Sequence, residues 1–378
     1  MGMRVAVVSE SFLPTLNGVT TSVVKLLEHL AEGGHEATVI VPAAGSPRRY
    51  AGFPVHEIPA LAYRQFPVGL PNSQVSALLA DFAPDVVHVA SPFLLGAQSI
   101  AAANRLGVPS VAIYQTDVSG YARRNRLAVA SSFAWRVVRW IHEGADLTLA
   151  PSSTSIAALQ AAGVPRLERW GRGVDLELYH PRRRASVEAR ELRTRLAPDG
   201  EVVLGYVGRV APEKSLHRLT ELRGMPGVRL AIVGDGPAMA GLQRALDGMP
   251  VQFLGALSGE RLAAAYASFD VFVHTGTEET FGQTLQEAHA SGLPIVAPRA
   301  GGPIDLVDPG ADGLLYDTAD DDALRLAVAA LVERPELRRR MGEAGRRRVL
   351  GSSWAALCDE LLGHYRDVIA HRALELAR

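Results

Sequence analysis

Residues 270–302 read DVFVHTGTEETFGQTLQEAHASGLPIVAPRAGG. An apolar run at 270–274 is followed by a polar loop, a helix-length stretch holding Glu287, and a second apolar run at 294–297. Two short runs, apolar on both faces and joined by a helix, are the signature of parallel strands covered on both sides. The same alternation continues outward. Strands are expected at 202–207, 229–233 and 251–254, and earlier at 4–9, 37–41, 86–90, 110–114 and 147–150. Between the first two, Val23, Leu26, Leu27 and Leu30 follow helical spacing, and Gly33-Gly34 stops the helix. The chain is α/β, twice over.

The totals agree with two domains. A chain of 378 residues exceeds one ordinary core and suits two of ~150–200 residues each. With 48% hydrophobic and 21% charged residues, both can bury proper cores. The net charge of -1 argues against a nucleic-acid partner, which calls for a basic excess. The single cysteine, Cys358, excludes an internal disulfide framework and fits a reducing compartment. Arg4-Val5-Ala6-Val7-Val8-Ser9 is too short for a signal-peptide core, and no apolar run reaches the ~20 residues of a membrane span. The expectation is a cytoplasmic protein, at most peripheral on the inner face of the membrane. The rhythm breaks near 176–200, where Arg182-Arg183-Arg184 is read as part of a solvated linker balanced by Glu188, Glu191 and Asp199. Arg338-Arg339-Arg340 and Arg346-Arg347-Arg348 are read as solvated helix faces in the same way.

Chemistry concentrates after two strands. Glu279 falls in a loop at the C-terminal end of a parallel strand, where open α/β sheets bind ligands. Phe281-Gly282-Gln283 then turns into the helix carrying Glu287. Gly282 allows close backbone approach, and a helix start suits a phosphate. Glu279 and Glu287 would accept hydrogen bonds from hydroxyls on either side of a bound diphosphate. Gly205-Tyr206-Val207-Gly208-Arg209-Val210-Ala211-Pro212-Glu213-Lys214-Ser215 supplies the opposite charge: Arg209 and Lys214 can clamp a diphosphate and neutralise it as it leaves. Asp320-Asp321-Asp322 has a D-x-D pattern but opens a helix, so its acids suit a first turn, and neither metal nor cofactor is expected.

Gly208-Arg209 with Lys214, Val233-Gly234-Asp235-Gly236-Pro237, and Glu279-x7-Glu287 with Phe281-Gly282 together resemble glycosyltransferase family 4. Asn17-Gly18 resembles that family's N-terminal glycine loop, and Gly173-Val174-Asp175 its interdomain signature. The resemblance implies the GT-B fold: two Rossmann-like domains facing each other across a cleft, with a C-terminal helix crossing back to the first. It divides the chain into an acceptor-binding domain at 1–178, a linker at 179–200, a nucleotide-sugar domain at 201–353 and the returning helix at 354–378. It also implies retention of anomeric configuration with a nucleoside diphosphate as leaving group. Arg209 and Lys214 would match the pyrophosphate pair, Glu279 the donor-sugar contact, Glu287 the ribose contact and Gly18 the loop close to the phosphates. Phe281, Gly282 and Gln283 complete the expected donor site.

Where many relatives place a catalytic histidine, this chain reads Tyr114-Gln115-Thr116-Asp117. Asp117 is the catalytic candidate there, and a turn-capping aspartate is the alternative. Gln115-Thr116-Asp117 and Gly282 to Glu287 look like the GDP-mannose-dependent α-mannosyltransferases; UDP-sugar-dependent glucosyl- and sulfoquinovosyl-transferring relatives share the pattern. Arg123, Arg124, Arg126, Arg136 and Arg139 alternate with Phe133, Trp135 and Trp140. That stretch suits an anionic membrane surface and a lipid or glycolipid acceptor, or else a core helix with a basic edge. A nucleotide-sugar epimerase, a dinucleotide-dependent dehydrogenase and a non-catalytic sugar binder are the other readings. Against the dehydrogenase, Ser9-Glu10-Ser11-Phe12-Leu13-Pro14 lacks the glycine fingerprint.

Overall fold

A computed structural model describes residues 2–15, 17–63, 66–69, 73–90, 92–115 and 128–376. The chain divides into two compact units, Met1–Arg172 with Trp354–Arg378, and Gly173–Ser353.

The first unit is built on an eight-stranded sheet. Its central strands β1 (Arg4–Val8), β2 (Glu36–Pro42), β7 (Val86–Val89), β8 (Ser110–Ile113) and β9 (Leu147–Ala150) coincide with the expected runs to within a residue at each end. They lie in the order β9-β8-β7-β1-β2, all parallel. Their valines and isoleucines are buried on both faces, as a covered sheet requires. The edges escaped the sequence reading. At one side lie β3 (Arg49–Tyr50) and β4 (Phe53–Ile58), at the other β10 (Leu167–Arg169), while β5 (Ala60–Tyr63) and β6 (Phe66–Gly69) form a separate hairpin. Of these, β3, β4 and β10 are short, largely half-exposed or exposed and carry Pro54 or charge, so no apolar run marks them.

Helix α1 (Gly18–Glu32) follows β1 and buries Val23, Leu26, Leu27 and Leu30. Asn17 caps it, accepting from the amides of Val19 (2.9 Å) and Thr20 (3.0 Å). The remaining helices of this unit are α2 (Ser73–Phe82), α3 (Leu94–Leu106), α4 (Ala128–Glu143) and α5 (Ser153–Ala161). The last helix of the chain, spanning Trp354–Leu376, belongs to this unit as well. Its Leu357, Leu361, Leu362, Tyr365 and Val368 recur at helical spacing and enter the core around β1 and α1. Full burial of each such side chain stabilises by about 1.5–3 kcal/mol. Burial pushes His88 down to about 3, and its neutral ring shares a 2.7 Å hydrogen bond between Nδ1 and the Tyr365 hydroxyl.

The second unit holds a six-stranded, all-parallel sheet in the order β13-β12-β11-β14-β15-β16. Its strands are β11 (Val202–Val207), β12 (Val228–Val233), β13 (Val251–Gly255), β14 (Val271–Val273), β15 (Ile295–Pro298) and β16 (Gly313–Tyr316). Only β16 had no counterpart in the sequence reading. Residues 179–200, expected as a linker, contain helix α6 (Val187–Leu196), whose Leu192 and Leu196 enter this unit's core. Two leucines four positions apart had been hidden among charges. The adjacent arginines are also spoken for: Arg183 pairs with Glu260, and Arg184 donates to Phe269 O.

The same holds on α12 (Pro335–Val349), which follows α7 (Met239–Ala245), α8 (Gly259–Ala267), α9 (Gln283–Ala290), α10 (Pro303–Leu306) and α11 (Ala323–Val332). Arg338 donates to the carbonyls of Leu331 (2.7 Å) and Val332 (3.0 Å) at the end of α11. Arg346 donates to Ala290 O (2.8 Å) at the end of α9, and Arg348 pairs with Asp312. Arg338 and Arg346 thus satisfy helix-terminal carbonyls rather than water alone. Arg339, paired with Glu336 and Glu343, matches the solvated reading. Asp320 accepts from the Asp322 amide (2.9 Å) just before α11.

Candidate functional site

The C-terminal ends of β11, β12 and β14 form one pole of the second unit. After β11 the chain passes Gly208 at φ +152, and after β12 it passes Gly234 at φ +132. A Cβ on Gly234 would stand 1.9 Å from Gly208 O, so the two loops meet backbone to backbone. Val210 N donates to Asp235 O (2.9 Å) and Ala238 N to Val210 O (3.0 Å), which fixes the contact. Buried Tyr206 holds the Arg209 carbonyl at 3.0 Å, while the Arg209 guanidinium stays exposed and reaches Glu213 at 3.5 Å. Lys214 closes a single 3-10 turn, and its carbonyl accepts the buried Thr275 hydroxyl at 2.7 Å.

Through that last bond β11 is tied to the loop after β14. Lys214 Nζ and the Glu279 carboxylate form an ion pair. The Glu279 loop is braced from behind. Gly302 N donates to Glu279 O at 2.7 Å, and a Cβ on Gly302 would lie 2.0 Å from Phe281 O. Gly282, at φ +106, then starts α9, whose N-terminus has no side-chain cap. Such a terminus presents amide donors and a positive dipole end, which suits an anionic oxygen. One turn into α9, Glu287 accepts the Tyr266 hydroxyl at 2.8 Å. Burial pushes its carboxyl up to about 7, against the opposing effect of that hydrogen bond.

Arg209, Lys214, Glu279, Gly282 and Glu287 thus lie on loops and a helix start at this one pole, and Lys214 and Glu279 touch. Two expected contacts have other tasks. Phe281 is buried beneath the turn it occupies. Gln283 Nε2 donates to Gly173 O at 2.9 Å, so its side chain anchors Gly173. Tyr266, His274 and Thr275 were not singled out from the sequence. Each lies on a strand end or helix that reads as plain core, and no local signal distinguishes them.

The corresponding pole of the first unit is assembled differently. Gly18 opens α1, and a Cβ there would stand 2.3 Å from Arg172 Nη1. Arg172 Nη2 donates to Gln115 Oε1 (2.9 Å), and Gln115 Nε2 donates to Ala90 O (2.8 Å). Glu10, after β1, accepts from the first amides of α3, Leu95 N at 2.8 Å and Gly96 N at 3.2 Å. Burial outweighs those bonds and pushes its carboxyl up to about 7. Neither Arg172 nor Glu10 had been singled out as a site residue. Asp117, Arg123, Arg124 and Arg126 lie outside the described residues. On α4, Trp135 packs beside Tyr114 and Val138, whereas Phe133 and Trp140 are each 67% exposed with Arg136 between them. No helix among the described residues is long and apolar enough to cross a membrane.

Comparison with known proteins agrees with this architecture. Residues 16–178 match the family described as Glycosyltransferase Family 4, and residues 188–348 match Glycosyl transferases group 1. The chain is 49% identical over 385 residues to a GDP-mannose-dependent alpha-mannosyltransferase of Mycobacterium tuberculosis (strain CDC 1551 / Oshkosh), covering 100% of both. It is 43% identical to a protein of the same description from Corynebacterium glutamicum, over 97% of this chain and 90% of that one. Among solved structures, Anabaena Alr3699/HepE in complex with UDP superposes with a TM-score of 0.81 at 19% identity, covering 97% of this chain and 100% of the other. The chain therefore belongs to glycosyltransferase family 4, a sugar-transferring enzyme on the GT-B fold.

Proposed function

We propose that this chain is a retaining GDP-mannose-dependent α-mannosyltransferase acting on a hydroxyl of a lipid-linked or glycolipid acceptor. The observation that carries the donor reading is the contact between Lys214 and Glu279, a cation and a carboxylate poised together beside an uncapped helix start. The relatives described as GDP-mannose-dependent support mannose as the sugar.

In this account Arg209 and Lys214 bind the diphosphate, Glu279 accepts hydroxyls of the sugar and Glu287 those of the ribose. The bond between the anomeric carbon and the phosphate oxygen breaks, and its electron pair leaves with the diphosphate. The two cations stabilise that charge, and no metal or other cofactor takes part. The acceptor oxygen bonds to the same face of the sugar and passes its proton to the departing phosphate. Asp117 is assigned to the acceptor side of this step. The one-bond carbon–proton coupling at the anomeric centre of the product, read by NMR, tests the chemistry: α-mannoside supports retention, and β-mannoside overturns it.

The exposed Phe133, Arg136 and Trp140, at helical spacing on α4, support contact with an anionic membrane surface. Vesicles containing phosphatidylglycerol should bind more strongly at 50 mM salt than at 200 mM. Absence of binding at both concentrations contradicts the membrane assignment.

A further inference from the structure

His274 follows the last residue of β14, and its side chain is 2% exposed. Its backbone is fully used: the amide donates to Val296 O at 2.8 Å, and the carbonyl accepts the Tyr316 hydroxyl at 3.4 Å. The ring is not. Neither Nδ1 nor Nε2 has a hydrogen-bond partner, although the Gly276 backbone comes close. Nε2 lies 3.7 Å from Glu279 Oε2. Gly276 leaves room for this approach, since a Cβ on it would stand 3.2 Å from Nε2. Burying polar nitrogens without partners costs roughly 1–3 kcal/mol each, so an apolar residue would be more stable here. A partner supplied in another state of the site would offset that cost.

Lys214 holds the Glu279 carboxylate in the structure. A bound diphosphate carries more charge than one carboxylate and competes for the same ammonium. Once Lys214 turns to the phosphates, Glu279 loses this cation while its side chain is only 18% exposed. A movement of about 0.8 Å would bring His274 Nε2–H within hydrogen-bond distance of Oε2. Burial holds the ring neutral at pH 7, so it can donate without adding a charge beside Lys214. We propose that His274 is a positioning residue, which takes over the Glu279 carboxylate when the donor's diphosphate draws Lys214 away and holds it to receive the sugar hydroxyls. The inference rests on the donor-site reading above.

Calorimetric titration with GDP and with GDP-mannose tests it on the wild type, His274→Leu and His274→Gln, each checked for folding by thermal unfolding. Glutamine can place an N–H near the position of Nε2, and leucine cannot. GDP should weaken by no more than about threefold in His274→Leu, because its diphosphate also draws Lys214 away but it carries no sugar for Glu279 to hold. GDP-mannose should bind about tenfold more weakly to His274→Leu, with most of the loss regained in His274→Gln. In a Glu279→Gln background, His274→Leu should add no further loss. Should the leucine chain not fold, His274→Asn, whose shorter amide stops short of Glu279, takes its place. Equal weakening of GDP and GDP-mannose, no weakening, or no recovery with glutamine would overturn the inference alone. A wild type that binds no GDP-mannose overturns the donor reading and this inference with it.

Discussion

The two sheet poles are held by different means. In the second unit, loops meet backbone to backbone at Gly234 and Gly302, while Gly208 and Gly282 take a positive φ that other residues rarely adopt. In the first, long side chains span the distance: Arg172 reaches Gln115 across 57 positions, and Glu10 reaches Leu95 across 85. The first arrangement leaves little freedom to the loops that carry Arg209, Lys214 and Glu279. The second leaves a pole whose geometry depends on a few replaceable hydrogen bonds.

The sharpest way to break this contrast is Gly234→Ala. The new methyl would meet Gly208 O, and an alanine is strained at φ +132. A loss of about 2–4 kcal/mol is expected, seen as a lower thermal midpoint together with loss of nucleotide binding. A variant as stable as wild type would mean that the loops do not need their close contact.

Glu287→Gln should weaken GDP binding by about tenfold to a hundredfold, because a charge-assisted acceptor becomes a neutral one. With its pKa near 7, Glu287 is more fully ionised at pH 8 than at pH 6. Wild-type GDP affinity should therefore rise with pH across that window, and the variant's should be flatter. Titrations at both pH values compare the slopes.

In the first unit, Arg172→Ala should lower mannosyl transfer by about tenfold while GDP affinity changes less than twofold. Equal losses in both would mean that the two poles cannot be separated in this way.

A further effect concerns Glu10. The unfolded carboxyl releases its proton near 4.5 and the folded one near 7, so the folded state binds more protons between those values. Stability contributed by this group is present below about pH 4.5 and is lost as pH rises towards 7. Glu10→Gln should reduce the fall in urea midpoint over that range, with the remaining slope including the similar contribution of Glu287.

The contrast also explains what the sequence made legible. The central strands were readable because both faces are buried, which leaves unbroken apolar runs. Arg209, Lys214, Glu279 and Glu287 were readable because glycine-marked turns flank them. Arg172 and Glu10 were not, since their partners are brought close only by sheet order. Leu192 and Leu196 were masked by the charges around them, and α6 was taken for a linker. His274 sits at the end of an apolar strand, where its type alone gives no sign that Glu279 lies 3.7 Å away.

The most direct test of the donor site is calorimetric titration of wild type and Lys214→Ala with GDP-mannose and UDP-glucose. Wild type should prefer GDP-mannose, and Lys214→Ala should weaken its binding about a hundredfold. Unchanged binding in the variant, or a wild-type preference for UDP-glucose, would contradict the donor-site assignment.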